Sequence, residues 1–529
     1  MRRWNGWGDD ATIYPFPDPA ASYLASLIGE GTPTRDATLE EILDQVPLSR
    51  LDTNPLIQVD PLVRLLHARG QSLTDWVALR SGRVDTFPDG VAYPTNEQEI
   101  RDIILFARKH AVSLIPYGGG TSVVGHLTPL PGSNPVLTVD LSHLNQLIEL
   151  DPTSWLATFQ AGVSGPDLEL QLHKNGYTLG HFPQSFELST LGGWIATRSC
   201  GQQSYYYGRI EELFTGGHIE TCQGSIDLPA LPASAAGPDI RQIILGSEGR
   251  LGIITSAIVR IRPLPEKEAF FGVFFHHWKS GVEAVRQIAQ SRTPISMARL
   301  SDTQETETTM ALSGKENLVK WANRGLNLLR YGPERCLLIF GVTGDRQVFH
   351  QVCRQVLSIC QHHGGLYTGE VIGKMWKKSR FLTPYLRNTL WERGYIVDTL
   401  ETSVPWREVL STAKEVKNAL GGGLVAMNEK VLVFTHLSHV YRDGASIYTT
   451  YLFRRSPDPD ENLERWHRLK YTASQTILSH HGTISHQHGV GQDHAPFLEA
   501  EKTALGIRLL KDVAKSLDPQ GIMNPGKLI

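Results

Sequence analysis

The sequence predicts an α+β protein laid out in consecutive units: a domain that cradles a nucleotide, an antiparallel sheet with helices, and closing helices. Three observations carry this. A run of three glycines follows a short apolar segment within residues 86–265, strand-like and helix-like patterns alternate through 266–460, and two long helical patterns fill 461–529. At 529 residues and 41% hydrophobic content, the chain can bury more than one core.

Residues 1–85 read as a helical segment, broken at Asp18-Pro19 and Asn54-Pro55 and placed over the outside of the domain that follows. In 97–110 the apolar residues Ile100, Ile103, Ile104, Phe106 and Ala107 keep the helical period, and 112–115 reads as a strand. Pro116, Tyr117, Gly118, Gly119, Gly120, Thr121 and Ser122 come next. Glycines without Cβ let backbone amides crowd an anion, and a dinucleotide pyrophosphate suits that cradle. The contiguous glycines match neither GxGxxG nor GxxxxGK[ST], so an ordinary loop is the competing reading.

Further segments support the cradle. Gln184, Ser185, Phe186, Glu187, Leu188, Ser189 and Thr190 lead to Gly192-Gly193, and then come Thr197, Arg198, Ser199 and Cys200, rich in hydroxyls and small side chains. Ser247, Glu248, Gly249, Arg250, Leu251, Gly252 and Ile253 form a turn that runs into an alternating strand over 254–261, where backbone can lie close to a ring. Prolines at 263 and 265 close the domain.

In 266–460, strands at 270–275 and 337–342 and helices at 282–290 and 347–362 suit an antiparallel sheet with helices on one face, a substrate or cap domain. Phe270 to Phe275 reads either as a core strand or as an apolar tunnel wall, and 421–423 as a flexible glycine turn. Helices are expected over 461–479 and 500–517. Between them stands Ser485-His486-Gln487-His488-Gly489-Val490-Gly491. Neutral imidazoles exchange protons near pH 7, although histidines that merely satisfy backbone around the turn would look the same. With i, i+2 spacing and no carboxylate or cysteine alongside, no metal is expected. His480, His481 and His494 are assigned solvated or helix-end positions.

A net charge of −3 gives no basic footprint for nucleic acid, and no apolar run reaches the roughly 18 residues of a membrane span. The N-terminus leads into no signal-peptide core, the five scattered cysteines contain no CxxC pair, and the chain lacks a terminal Ser-Lys-Leu. These features point to a reducing, cytoplasmic setting.

The glycine-rich segments, in this order, resemble the flavoprotein superfamily of vanillyl-alcohol oxidase and p-cresol methylhydroxylase (PCMH). Arg3-Trp-Asn-Gly-Trp-Gly8, Gly180-His181, the stretch from Glu187 to Trp194, Gly237-Pro-Asp-Ile240, Tyr385-Leu-Arg387-Asn388, Leu400-Glu-Thr402 with Trp406, and Gly444-Ala-Ser-Ile-Tyr448 narrow the resemblance to the alkyldihydroxyacetonephosphate synthase (alkylglycerone-phosphate synthase) family and its bacterial relatives. The resemblance implies a two-subdomain FAD-binding domain of PCMH type, then the cap domain and C-terminal helices. It implies that the four segments above hold FAD, noncovalently, since Thr121 follows the glycines and His126 lies further out. By the same likeness Arg387 contacts the substrate and Tyr448 is the general acid/base, with Tyr451 as the rival position. Where the family has three consecutive histidines, this chain has His486, Gln487 and His488, and Gln487 cannot carry a proton at neutral pH.

The implied activity is exchange of the acyl group of acyl-dihydroxyacetone phosphate for a fatty alcohol through a flavin N5 adduct, a step of ether-lipid synthesis with no net redox change. The alternative is an FAD-linked dehydrogenase or oxidase of a 2-hydroxy acid such as D-lactate or glycolate. The tail from Asp518 to Leu528 and the Gln487 replacement favour it. A flavin-binding protein without catalysis is a third, remote reading. Expected partners are a small-molecule or lipid substrate, with peripheral membrane contact and a homodimer left open.

Overall fold

The computed structural model describes residues 2–312 and 316–529. Helix Glu97–His110 forms as the period predicts: the Asn96 side chain caps it by accepting the Glu99 N–H, and Ile100, Ile103, Ile104 and Ala107 are buried. It leans on a four-stranded sheet ordered Ile57–Gln58, Gly90–Ala92, Val136–Asp140, Ser113–Tyr117, the last three parallel. The strand Ser113–Tyr117 delivers the chain directly into the glycine run. A five-stranded antiparallel sheet follows, ordered Leu147–Asp151, Leu156–Gln160, Ile253–Arg260, Phe214–Thr221, Gly224–Leu228.

The third sheet has seven antiparallel strands, ordered Leu366–Tyr367, Lys267–Phe275, Cys336–Gly344, Met297–Ser301, Leu432–Val440, Gly444–Arg454, Tyr395–Pro405. Helices Trp278–Gln290, Arg346–His362 and Val409–Gly422 pack on one face around Val273, Phe275, Leu338 and Phe340. The expectation of helices on one face alone is corrected, because Phe270, Phe274, Leu337 and Ile339 point to the opposite face and pack with Leu326 and Trp376. Strand Lys267–Phe275 is thus core on both sides, which rules out its reading as a tunnel wall; continuous apolar runs of this kind mark strands covered twice.

Two further corrections concern local structure. Gly421 and Gly422 are the last residues of helix Val409–Gly422 and Gly423 keeps helical torsions, so the glycine run is no flexible turn. Helix Asp18–Ile28 sets Leu24 and Ile28 against Tyr395, Leu432 and Leu452, so it covers the seven-stranded sheet instead of the nucleotide domain. The opening residues are no helix either. They form a hairpin closed by a bridge between Arg2 and Asp9, and Asn388 brackets Trp7 by accepting its N–H at 3.0 Å and donating to its carbonyl at 2.9 Å. Gly8 sits at φ +75°, and a Cβ there would strike the Tyr385 ring.

Helix Pro459–Ser479 is continuous, while Leu498–Leu517 breaks at Thr503, where φ is +64°. The tail then returns to the first sheet: Leu114 N–H donates to Ile522 O at 2.8 Å and Asn524 N–H donates to Leu114 O at 2.7 Å. Residues 485–491 lie in a turn between these helices, against the free edge of strand Tyr395–Pro405, where His486 N–H donates to Glu401 O at 3.1 Å.

Candidate active site

The glycine-rich segments converge. A Cβ on Gly118 would strike Thr190 Oγ1, one on Gly119 would strike Leu188 O, and one on Gly249 would come within 3.0 Å of Pro116. Backbone from 116–122, 184–190 and 246–249 therefore meets at distances only glycine allows, which is the cradle a pyrophosphate needs. Gly246 and Glu248 N–H donate to Ile195 and Ala196 carbonyls, both at 3.0 Å, and join the helix Leu191–Thr197 to the same place. The residues present thus fit FAD. Individual side chains differ: Phe186 and Leu251 pack into the core of the five-stranded sheet and Ile253 into that of the first sheet, whereas Gln184 and Glu187 are exposed. The Cys200 thiol lies 3.3 Å from His439 Nδ1, and burial pushes it up to about 12, so it stays protonated at neutral pH.

One carboxylate ties the cradle to the histidine turn. Glu248 accepts the N–H of Val490 and, at 2.9 Å, that of Gly491, and it lies 3.0 Å from His126 Nε2. The other imidazole nitrogen of His126 is 2.6 Å from Ser122 Oγ. With Nδ1 on Ser122 and Nε2 facing the Glu248 carboxylate, buried His126 is held in the wall.

The second centre is Glu401, fully enclosed on the edge strand. Gln487 donates to its Oε2 at 2.5 Å, Ser438 donates to its Oε1 at 2.7 Å, and His486 Nδ1 lies 3.3 Å from Oε1. Burial alone would raise this carboxyl, but the His486 imidazole against it holds it well below the ordinary value. Gln487 thus fixes the anion that faces His486.

Glu401, His439 and His486 bring three ligand-type atoms within 4.8 Å of one another. The hydrogen-bond pattern argues against a metal there. Arg209 can only donate, and its Nη1 lies 2.8 Å from His486 Nε2, with the Tyr441 hydroxyl 2.6 Å from the same nitrogen. That nitrogen must be the acceptor, so the ring proton sits on Nδ1 facing Glu401, and neither nitrogen has a lone pair free. The same bonds remove His486 from proton transfer and make it a positioning residue. His488 is different. Its ring meets the Tyr448 ring edge-on at 6.1 Å, burial lowers its pKa, and among the described residues no hydrogen bond occupies its nitrogens. It is a neutral base with a free lone pair.

The Tyr448 and Tyr451 alternatives separate cleanly, because positions three apart on a strand face opposite ways. Tyr451 is completely buried and donates to Asp398 Oδ2 at 3.0 Å, a packing role. Tyr448 projects toward His488 and stacks on His436 at 4.8 Å and 16°. His436 Nδ1 is 2.9 Å from Glu305 Oε1, which Arg299 also contacts at 2.7 Å. Burial raises the Tyr448 pKa, so at neutral pH it is a proton donor.

Arg387 is neither a surface residue nor part of a salt bridge. Its guanidinium stacks 4.2 Å from the Trp76 ring, Nη1 donates to Gln71 O, and buried Nη2 has no partner. Burial lowers its pKa to about 10. It lies on the Asp398 and Tyr451 side of the edge strand, and no hydrogen bond or ion pair among the described residues joins it to Tyr448 or the histidines.

Arg209, His436 and His439 escaped sequence reasoning, since they come from distant strands and loops that no local spacing flags; Glu401 fell within the Leu400-Glu-Thr402 stretch but was given no role. His494 is a correction. Expected at a solvated helix end, it is 2% exposed, with Nδ1 3.0 Å from Gly489 O, because the chain folds back across the glycine turn.

Comparison with known proteins agrees with this geometry. The FAD linked oxidases, C-terminal domain family matches residues 264–528, and the FAD binding domain family matches 88–227. The chain is 30% identical to alkyldihydroxyacetonephosphate synthase of Dictyostelium discoideum, across all of this chain and 93% of that one. A solved alkyldihydroxyacetonephosphate synthase superposes with a TM-score of 0.85 at 27% identity, covering 100% of this chain and 99% of the other. Similarity to the glycolate oxidase subunit GlcD of Bacillus subtilis is lower, 26% over 84% of this chain and 89% of that protein. The cofactor is FAD, and the chain belongs to the alkyldihydroxyacetonephosphate synthase family of FAD-linked flavoproteins.

Proposed function

We propose that the protein replaces the acyl group of acyl-dihydroxyacetone phosphate with a fatty alcohol, giving the ether-lipid precursor and a fatty acid. The observation that carries this reading is Arg387, whose buried Nη2 has no partner and whose guanidinium makes no ion pair among the described residues. Asp398 and Asp75 act on it without an ion pair at contact distance, and a substrate phosphate supplies an anion for the free Nη2 through charge-assisted hydrogen bonds. FAD, held noncovalently in the glycine cradle, supplies the electron-accepting ring. Around it Tyr448 donates a proton at its hydroxyl, His488 accepts one at a ring nitrogen, and Glu401, Gln487 and His486 hold that turn in register. Oxidation of a 2-hydroxy acid is less well supported, by the tail from Asp518 to Leu528, the Gln487 replacement and the weaker likeness to GlcD.

All five cysteines are free and no described helix is long and apolar enough to cross a membrane, which fits a cytoplasmic enzyme meeting its lipid substrate at a membrane surface. The test is direct: FAD-loaded protein incubated with palmitoyl-dihydroxyacetone phosphate and isotope-labelled hexadecanol should give labelled ether by mass spectrometry. No labelled ether under any condition that keeps FAD bound would refute the reading.

A further inference from the structure

The opening hairpin, residues 2–9, joins the substrate half of the molecule to the cofactor cradle. Its turn is pinned to helix Thr383–Glu392, which carries Arg387, by the paired bonds between Asn388 and Trp7. Arg80 Nε donates to Asn5 O at 2.7 Å and Gln71 Nε2 donates to Gly6 O at 3.3 Å, so the turn is held from a second side. At the open end of the hairpin, Arg2 reaches the glycine run. Its Nη2 donates to the Tyr117 hydroxyl, and its Cζ stands 5.5 Å from the centroid of the Tyr117 ring. A Cβ on Gly120 would strike that hydroxyl and come within 2.5 Å of Arg2 Nη2. Gly120, at φ +71°, is therefore where guanidinium and cradle meet, and its missing side chain leaves the room that Arg2 takes.

Little in the protein uses this charge. Burial raises the Tyr117 phenol above its ordinary value, so the group facing Arg2 is a neutral hydroxyl. Among the described residues the Arg2 side chain makes no ion pair and no other hydrogen bond, and Asp140 acts on it without contact. Arginine presents five N–H donors in a planar fork and stays charged at any ordinary pH. Arg2 is exposed, so the donors that Tyr117 does not engage are open to a ligand.

We propose that Arg2 is a cofactor-binding residue, whose guanidinium bonds the pyrophosphate of FAD beside Gly120. Backbone amides of the cradle meet the phosphates with partial charges, and a guanidinium alongside adds a full charge and paired, charge-assisted hydrogen bonds. Tyr117 aims the fork, and the anchoring of the hairpin on Asn388 lets the substrate half of the chain hold the cofactor of the other half.

The test starts from full-length apoprotein freed of FAD and refilled by titration, read by the change in flavin fluorescence. Arg2→Gln keeps a donor and removes the charge; it should bind FAD about 10–100-fold more weakly than the wild type, and Arg2→Lys should recover part of the loss. Riboflavin, which has the ring and no phosphate, should bind both proteins equally. Added salt should weaken FAD binding more steeply in the wild type than in R2Q, because one charge pair is gone. Equal FAD affinity in the wild type and R2Q would overturn the proposal. So would an equal loss for FAD and riboflavin, the mark of a hairpin that merely supports the fold. Phosphorus NMR of the holoenzyme at saturating FAD needs no cofactor removal: the pyrophosphate resonances should move in R2Q, and identical resonances in the two proteins would overturn the contact.

Discussion

Replacing Glu248 with Gln probes the joint between cofactor cradle and histidine turn. The carboxylate accepts the N–H of both Val490 and Gly491 and faces His126 at 3.0 Å. Glutamine keeps the shape but offers one acceptor oxygen, and it turns an NH2 toward the other backbone N–H. Hydrogen bonds to a charged group contribute about 1.5–3 kcal/mol each, so losing one and opposing two donors costs about 3 kcal/mol. Since 1.4 kcal/mol is tenfold, the ratio of docked to undocked turn should fall about 100-fold. Amide hydrogen exchange reads this at the site: protection of Val490 and Gly491 should drop by that factor while that of the buried strand Val136–Asp140 is unchanged. Turnover should fall with it, because His488 rides on the same turn. Unchanged protection at Val490 and Gly491 would refute the reasoning.

Other expectations concern the same residues. Tyr448→Phe should cut turnover by about 100-fold or more with FAD affinity intact, whereas Tyr451→Phe should leave chemistry alone and cost about 1.5–3 kcal/mol of stability, both read from paired kinetics and denaturant melts. Arg387→Met should raise KM for the phosphate substrate about 10–100-fold without destabilising the protein, since it removes a desolvated charge that makes no contact ion pair. Glu305 gives a pH prediction: burial would raise its carboxyl, but Arg299 and His436 lower it from 4.5 to about 2. A depressed folded-state pKa adds stability present above pH 4.5, here about 3 kcal/mol, lost as pH falls toward 2. Glu305→Gln should flatten that limb of stability against pH.

Local patterns were legible and distant partnerships were not. Helix Glu97–His110, the glycine run after Ser113–Tyr117 and the strand after Gly252 each depend on neighbours within a few residues, so spacing alone revealed them. The contact of Glu248 with Val490 spans 242 residues, and that of Arg209 with His486 spans 277. Such pairs leave no period in the sequence. The histidine turn was found as a motif, yet its division of labour depended on Arg209, which fixes the His486 tautomer from another domain's loop. Arg387 was singled out, but only the structure shows that its Nη2 is left without a partner. The coverage of Lys267–Phe275 on both faces was readable in principle, because all of Phe270, Phe271, Val273, Phe274 and Phe275 are apolar where a one-sided strand would alternate.

The central claim is exchange without net redox change at a site built on Tyr448, His488 and Arg387. The most direct measurement mixes FAD-loaded enzyme anaerobically with palmitoyl-dihydroxyacetone phosphate and labelled hexadecanol, and follows the flavin spectrum while counting labelled ether and released palmitate. The account predicts equal amounts of ether and palmitate over many turnovers, with the flavin oxidised at the end. No ether, together with lasting flavin bleaching by D-lactate or glycolate, would contradict it.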